Sequence, residues 1–127
     1  MSEVKNYRVY KELNESNIEF DGNKMIFYVE PDEQSMYGIE FYFNEDFIEK
    51  KFGNSSVIAK NVQVSGPLLC YWYRMMTTSG RPEYYCECGE PRDISAFTMI
   101  GANVAFGFSS YSHLGKKIKI ILTYEIK

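Results

Sequence analysis

The sequence predicts an all-β protein: an antiparallel β-sandwich of about eight to ten strands, with one short capping helix around residues 45–52. Three observations lead there. Apolar and polar residues alternate with a period of two in short runs along the chain, as strands with one face on a core require. Clusters of Gly, Pro, Asn and Ser separate the runs at the spacing of sandwiches and barrels. Only one segment carries the capping chemistry of a helix. The jelly roll is the particular sandwich that this strand number also fits. With 127 residues, 45% hydrophobic and 24% charged, the chain has the size and composition of one folded domain, residues 1–127. It contains no internal repeat, linker or low-complexity tract.

The first run is Tyr7, Val9, Lys11 and Leu13. Ile18 and Phe20 follow, and Asp21-Gly22-Asn23 joins them to Met25, Phe27 and Val29 as a tight hairpin, because Gly and Asn accept positive φ cheaply. Residues 31–36, from Pro31 to Met36, read as a polar loop before Ile39, Phe41 and Phe43. Asn44 can then cap a helix whose first turn holds Glu45 and Asp46 and whose last turn holds Lys50 and Lys51. Gly53 closes it, and Ile48 and Phe52, four apart, form the face that caps an open end of the sandwich. Ile58, Lys60, Val62 and Val64 continue the strand pattern. Tyr84, Cys86 and Cys88 follow it, as do Val104, Phe106 and Phe108. The clearest strand is the last, where Ile118, Ile120, Leu122, Tyr124 and Ile126 alternate with mainly polar residues.

The segment from Pro67 to Thr78 departs from simple alternation. Leu69, Tyr71, Tyr73 and Met75 occupy one face and Leu68, Cys70, Trp72, Arg74 and Met76 the other, so both are largely apolar. A central strand covered on both sides accounts for this. The functional account is an exposed aromatic face, since Tyr, Trp, Met and Arg are the residues that interfaces favour. A hairpin to the next strand would add Arg81, Tyr84 and Tyr85. The candidate binding surface, for a protein partner or a glycan, is therefore Tyr71, Trp72, Tyr73, Arg74, Arg81, Tyr84 and Tyr85, with Glu83 or Glu87 as polar anchors.

Charge and motif content narrow the function classes. The net charge of −3 disfavours nucleic-acid binding through phosphates. Charge is uneven: residues 1–52 hold twelve acids and six bases, residues 53–127 five acids and eight bases. On different surfaces, these halves would attract copies head to tail, although a short chain also acquires such unevenness by chance. No apolar run is long enough for a membrane helix, and Met1-Ser2-Glu3-Val4-Lys5 lacks the apolar core of a signal peptide. The expectation is a chain beginning at its own initiator methionine and folding in the cytoplasm with reduced Cys70, Cys86 and Cys88. The Asn14-Glu15-Ser16 and Asn54-Ser55-Ser56 patterns would then escape glycosylation.

Cys86-Glu87-Cys88 with Cys70 and His113 offers a Cys₃His set, but alternate strand residues hold their side chains too far apart for one zinc. No metal or cofactor is expected. His113 is the only histidine and lies in a polar loop, and no nucleophile elbow or phosphate loop occurs. A glycosidase needs only two carboxylates, which 17 acids do not single out without a fold. The expectation is a non-enzymatic assembly protein acting through protein–protein contacts in a homo-oligomer. Its specific form is a small bacteriophage virion component, a capsid decoration or fibre subunit. The alternative is a carbohydrate-binding, lectin-like domain built on Trp72, Tyr73, Arg74 and Tyr85.

Overall fold

A computed structural model describes residues 4–43, 45–53, 57–65, 72–76, 83–87, 92–98, 104–109 and 114–126; residues 45, 72–76, 83–87 and 92–98 are described by their backbone. Among the described residues, ten strands form two five-stranded sheets. The first contains β1 (Val9–Leu13), β4 (Ile39–Phe43), β9 (Ala105–Phe108), β6 (Trp72–Met76) and β7 (Glu83–Glu87), in the order β1-β4-β9-β6-β7. The second contains β2 (Ile18–Asp21), β3 (Lys24–Val29), β10 (Ile118–Ile126), β5 (Val57–Ser65) and β8 (Arg92–Thr98), in the order β2-β3-β10-β5-β8. Neighbours pair antiparallel except β1, which lies parallel to β4. The fold is all-β and sandwich-like, with one short helix, α1 (Glu45–Phe52).

The alternating sets supply the core. Met25, Phe27 and Val29 of β3, Ile39, Phe41 and Phe43 of β4, Phe106 and Phe108 of β9, and Ile118, Ile120, Leu122 and Tyr124 of β10 are buried in one cluster. Phe27 joins the sheets: its ring centroid lies 5.3 Å from that of Phe43 and 5.7 Å from that of Phe106. Such tilted ring pairs add specific attraction to the area they remove from water.

Gly22 takes φ +60° and begins the β2–β3 hairpin, while Asn23 keeps negative φ. That is the II′ arrangement, in which only the first central residue needs the left-handed region. Tyr124 ties the hairpin to β10: its amide donates to the Asn23 carbonyl at 2.9 Å and its hydroxyl to the Gly22 carbonyl at 3.2 Å. Gly53, at φ +61°, closes α1 by donating to the Glu49 carbonyl at 2.7 Å. Ile48 is buried, and Phe47 and Phe52 pack on Phe20 with centroids 6.0 Å apart in both pairs. The predicted cap Asn44 lies outside the described residues.

The structure departs from the sequence reading in β5, at Tyr7 and Ile126 and in β8, and it adds a turn before β2. In β5 the buried residues are Val57, Ala59, Val62 and Val64, not the Ile58, Lys60, Val62 series. A bulge places Asn61 opposite Thr123 but Ala59 opposite Tyr124, so the inward phase shifts by one residue. Tyr7 and Ile126 are exposed: Tyr7 lies before the start of β1, and Ile126 is the last residue of β10. β8 was not predicted: Ile94 and Phe97 are three apart, which breaks the period of two, and its register against β5 shifts between Ala59 and Asn61. Asn14-Glu15-Ser16 belongs to a 3-10 turn (Glu15–Asn17), in which the Asn14 side chain accepts from the Ser16 amide at 3.0 Å and the Asn14 amide donates to Asn17 Oδ1 at 3.1 Å.

Candidate functional site

The predicted surface falls on the β6–β7 ladder. Arg74 pairs with Tyr85, Trp72 with Glu87, Tyr73 with Cys86 and Met75 with Tyr84. Tyr71 and Arg81 lie outside the described residues, as do Cys70, Cys88 and His113. Register divides the remainder. Tyr73 and Met75 pair with Phe108 and Phe106 of β9, both buried, so Tyr73 and Tyr84 hold positions on the core-facing rows. Trp72, Arg74 and Tyr85 hold positions on the opposite face. One row of that face crosses all five strands: Tyr10, Glu40, Gly107, Arg74 and Tyr85. Four strand spacings make it about 19 Å long.

The β1 end of this row shows a feature that sequence reasoning passed over. Tyr7, Tyr10, Met36 and Tyr37 are each more than half exposed, at 56%, 59%, 62% and 60%. They surround a polar framework joining the N-terminal segment to the loop before β4. Arg8 lies 3.1 Å from the Glu40 carboxylate and donates from Nε to the Tyr37 carbonyl at 3.3 Å. Buried Ser35 donates from its hydroxyl to the Tyr7 carbonyl and accepts from the Tyr37 amide at 3.1 Å. The Lys5 amide donates to the Gln34 carbonyl at 3.0 Å, and Met36 returns a bond to the Lys5 carbonyl at 2.9 Å. The backbone is therefore fixed while the rings face water, a geometry that lowers the entropy lost when a partner covers them. The available signal was local: Met36 and Tyr37 are large apolar residues inside an otherwise polar loop, with no strand pattern to bury them.

A second polar group lies behind the first. Glu33 accepts from Lys11 at 2.9 Å and Lys5 at 3.3 Å, and Asp32 lies 3.5 Å from Lys11. Hydrogen bonds from Lys11 and then Lys5 hold the Glu33 carboxyl below its ordinary value, and Glu33 in turn raises both amines. On the outer face of the other sheet, the half-exposed Tyr28 ring has Lys117 and Lys119 at 5.2 and 6.0 Å from its centroid. A shallow cleft of about 190 Å³ is lined by Glu15, Phe47, Lys50 and Lys51. It offers no pairing of nucleophile and base.

Among the described residues, no group of three or more His, Cys, Asp and Glu is placed to hold a metal ion. No described helix is long and apolar enough to cross a membrane. Comparison with protein-family models, curated proteins and solved structures found no match to this chain.

Proposed function

We propose that the protein is a non-enzymatic assembly component that works by contact with other protein subunits, its specific form being a small bacteriophage virion subunit of the decoration or fibre kind. The observation that supports this most is the exposed Tyr7, Tyr10, Met36 and Tyr37 group around the Arg8–Glu40 pair, at the β1 end of the sheet order. Tyr, Met and Arg are enriched at interfaces, and contiguous exposed apolar area marks association. The winding agrees with a jelly roll, a frequent capsid architecture. Strands β3 to β10 are ordered β3-β10-β5-β8 in one sheet and β4-β9-β6-β7 in the other, as when a long ribbon is folded double and rolled. The link from this architecture to a virion is an analogy of fold and size. Light scattering coupled to size-exclusion chromatography tests the assembly reading. A stable homo-oligomer is expected, weakened by Tyr10→Ser with Tyr37→Ser; a strict monomer at high concentration that binds no partner subunit would overturn it.

The alternative, a glycan platform, gains one observation: Trp72, Arg74 and Tyr85 share a face on neighbouring strands. Aromatic rings stack on the C–H faces of sugars while charged groups bind their hydroxyls. A glycan array with a Trp72→Ala control separates the readings, because binding lost in that variant would favour the sugar site and an empty array would dismiss it.

A further inference from the structure

We propose that the N-terminal segment, residues 4–13, is an exchangeable strand that pairs with β4 of a second copy in the assembled protein, its parallel ladder on β4 being the pairing that is exchanged. This deepens the assembly reading and rests on it. The first ground is topological. β1 stands at the end of its sheet's order, and its ladder to β4 is the single parallel pairing among the described strands. No other described strand uses β1 as a neighbour, so its release opens one ladder and leaves β4-β9-β6-β7 paired.

The second ground is the kind of interaction that holds it. Val9 and Leu13 enter the core, but the remaining anchors are polar and all lead to one short stretch. Lys5 and Lys11 reach Glu33, Lys11 reaches Asp32, Arg8 reaches Glu40, and Ser35 holds the Tyr7 carbonyl. The pairs of Lys5 and Lys11 with Glu33 and Asp32 are part-exposed, so they contribute little net stability and are screened by salt. The Glu40 carboxylate is buried, so its pair with Arg8 must re-form in the receiving copy. The receiving stretch has its own support. Gly38, at φ +86°, is packed so close to β9 that a Cβ there would lie 2.9 Å from the Phe108 carbonyl oxygen. β4 also pairs with β9 from Ile39 to Tyr42. The β4 part of the slot, from Gly38 to Tyr42, is thus held by interactions that do not involve β1, while the loop from Asp32 to Tyr37 is held by the N-terminal segment that occupies it.

The third ground is the hinge. Only residues 14–17 connect β1 to β2, which belongs to the opposite sheet. Their 3-10 turn is closed by exposed hydrogen bonds between Asn14, Ser16 and Asn17, which water can replace. Fully extended, four residues span about 14 Å, enough to carry β1 away from its own slot. A second copy offers the same slot, so the ladder and ion pairs that β1 gives up within its own chain re-form between chains, which makes exchange a low-cost route to association.

The test uses the native ion pairs. Equal amounts of ¹⁴N- and ¹⁵N-labelled protein are refolded together, sized by light scattering and treated with a zero-length carbodiimide, which joins Lys5 and Lys11 to Glu33 and Asp32. Digestion and mass spectrometry then show whether the two halves of each cross-link carry the same label. Exchange predicts that about half of the linked pairs in the oligomer are mixed, as random pairing of identical slots requires. An oligomer whose links all carry one label overturns exchange and leaves the assembly reading standing; a monomer overturns exchange, and overturns the assembly reading as well when it binds no partner subunit. If refolding fails, Glu12→Cys with Tyr42→Cys, facing positions on β1 and β4, gives the same decision in protein oxidised as purified. Covalent dimers absent from either single variant support exchange, and purely intrachain closure overturns it.

Discussion

At Gly38 two constraints coincide, and either alone would select glycine. Its φ of +86° lies where a side chain is strained, and an added methyl would meet the Phe108 carbonyl oxygen at 2.9 Å. Gly22 shares the first constraint, at φ +60°, but has nothing within 4 Å of an added Cβ. Gly22→Ala should therefore cost about 1 kcal/mol and Gly38→Ala about 2–4 kcal/mol, because only the latter displaces β9 backbone. Urea denaturation of the two variants measures the gap. Glu33 gives a second prediction at this scale. Its carboxyl is depressed by Lys11 and Lys5, so its contribution to folding is present above its ordinary 4.5 and is lost as pH falls through the lower folded value. The amines are raised, so their contribution is present below 10.5 and lost as pH rises through their higher folded values. Carboxyl NMR should place the Glu33 midpoint below the ordinary glutamate range, and Lys11→Met should move it upward; an unmoved midpoint would assign the shift elsewhere.

Within the elements, β5 shows where a strand's sequence misleads. Val57, Ala59, Val62 and Val64 face the core, yet the string Ile58, Lys60, Val62, Val64 alternates just as well if Lys60 is allowed at an edge. The bulge at Lys60 and Asn61 sends two successive residues outward, and its position depends on the partner strand β10, which local sequence does not specify. β3 and β10 needed no such information, since unbroken alternation and a Gly-Asn turn fix their inward faces. α1 was legible through its terminal charges, Gly53 and Ile48, whereas Phe47 gained its role only from Phe20 on a different strand. The β5 phase predicts opposite tolerances for neighbouring residues. Ala59→Leu, at a fully buried site, should cost about 1–3 kcal/mol by overpacking. Ile58→Leu, half-buried on the other face, should stay within about 0.5 kcal/mol. Equal effects in denaturant titrations would contradict the bulged register.

For the whole molecule, the aromatic residues, 17% of the sequence, serve two purposes that sequence alone does not separate. Phe27 and Tyr7 both sit at alternating positions beside apolar partners, but Phe27 is fully buried between the sheets and Tyr7 is exposed beyond β1. The difference lies in which strands end a sheet and which sheet faces meet, properties of long-range pairing. The β6–β7 hairpin behind the predicted surface was legible, whereas the split of Tyr73 and Tyr84 from Trp72, Arg74 and Tyr85 follows from the register with Phe106 and Phe108. Phe27 contacts both Phe43 and Phe106 across the sheets, and the described buried residues form one cluster contributed by both. Neither sheet can lose its partner without exposing that cluster to water. Thermal and urea unfolding should thus proceed in one transition, coincident by far-UV and near-UV circular dichroism. Phe27→Ala should lower stability by about 3–5 kcal/mol, because the cavity it leaves lies where neither sheet can collapse alone. Two separated transitions, or a Phe27→Ala effect confined to one of them, would show that the sheets fold as independent layers.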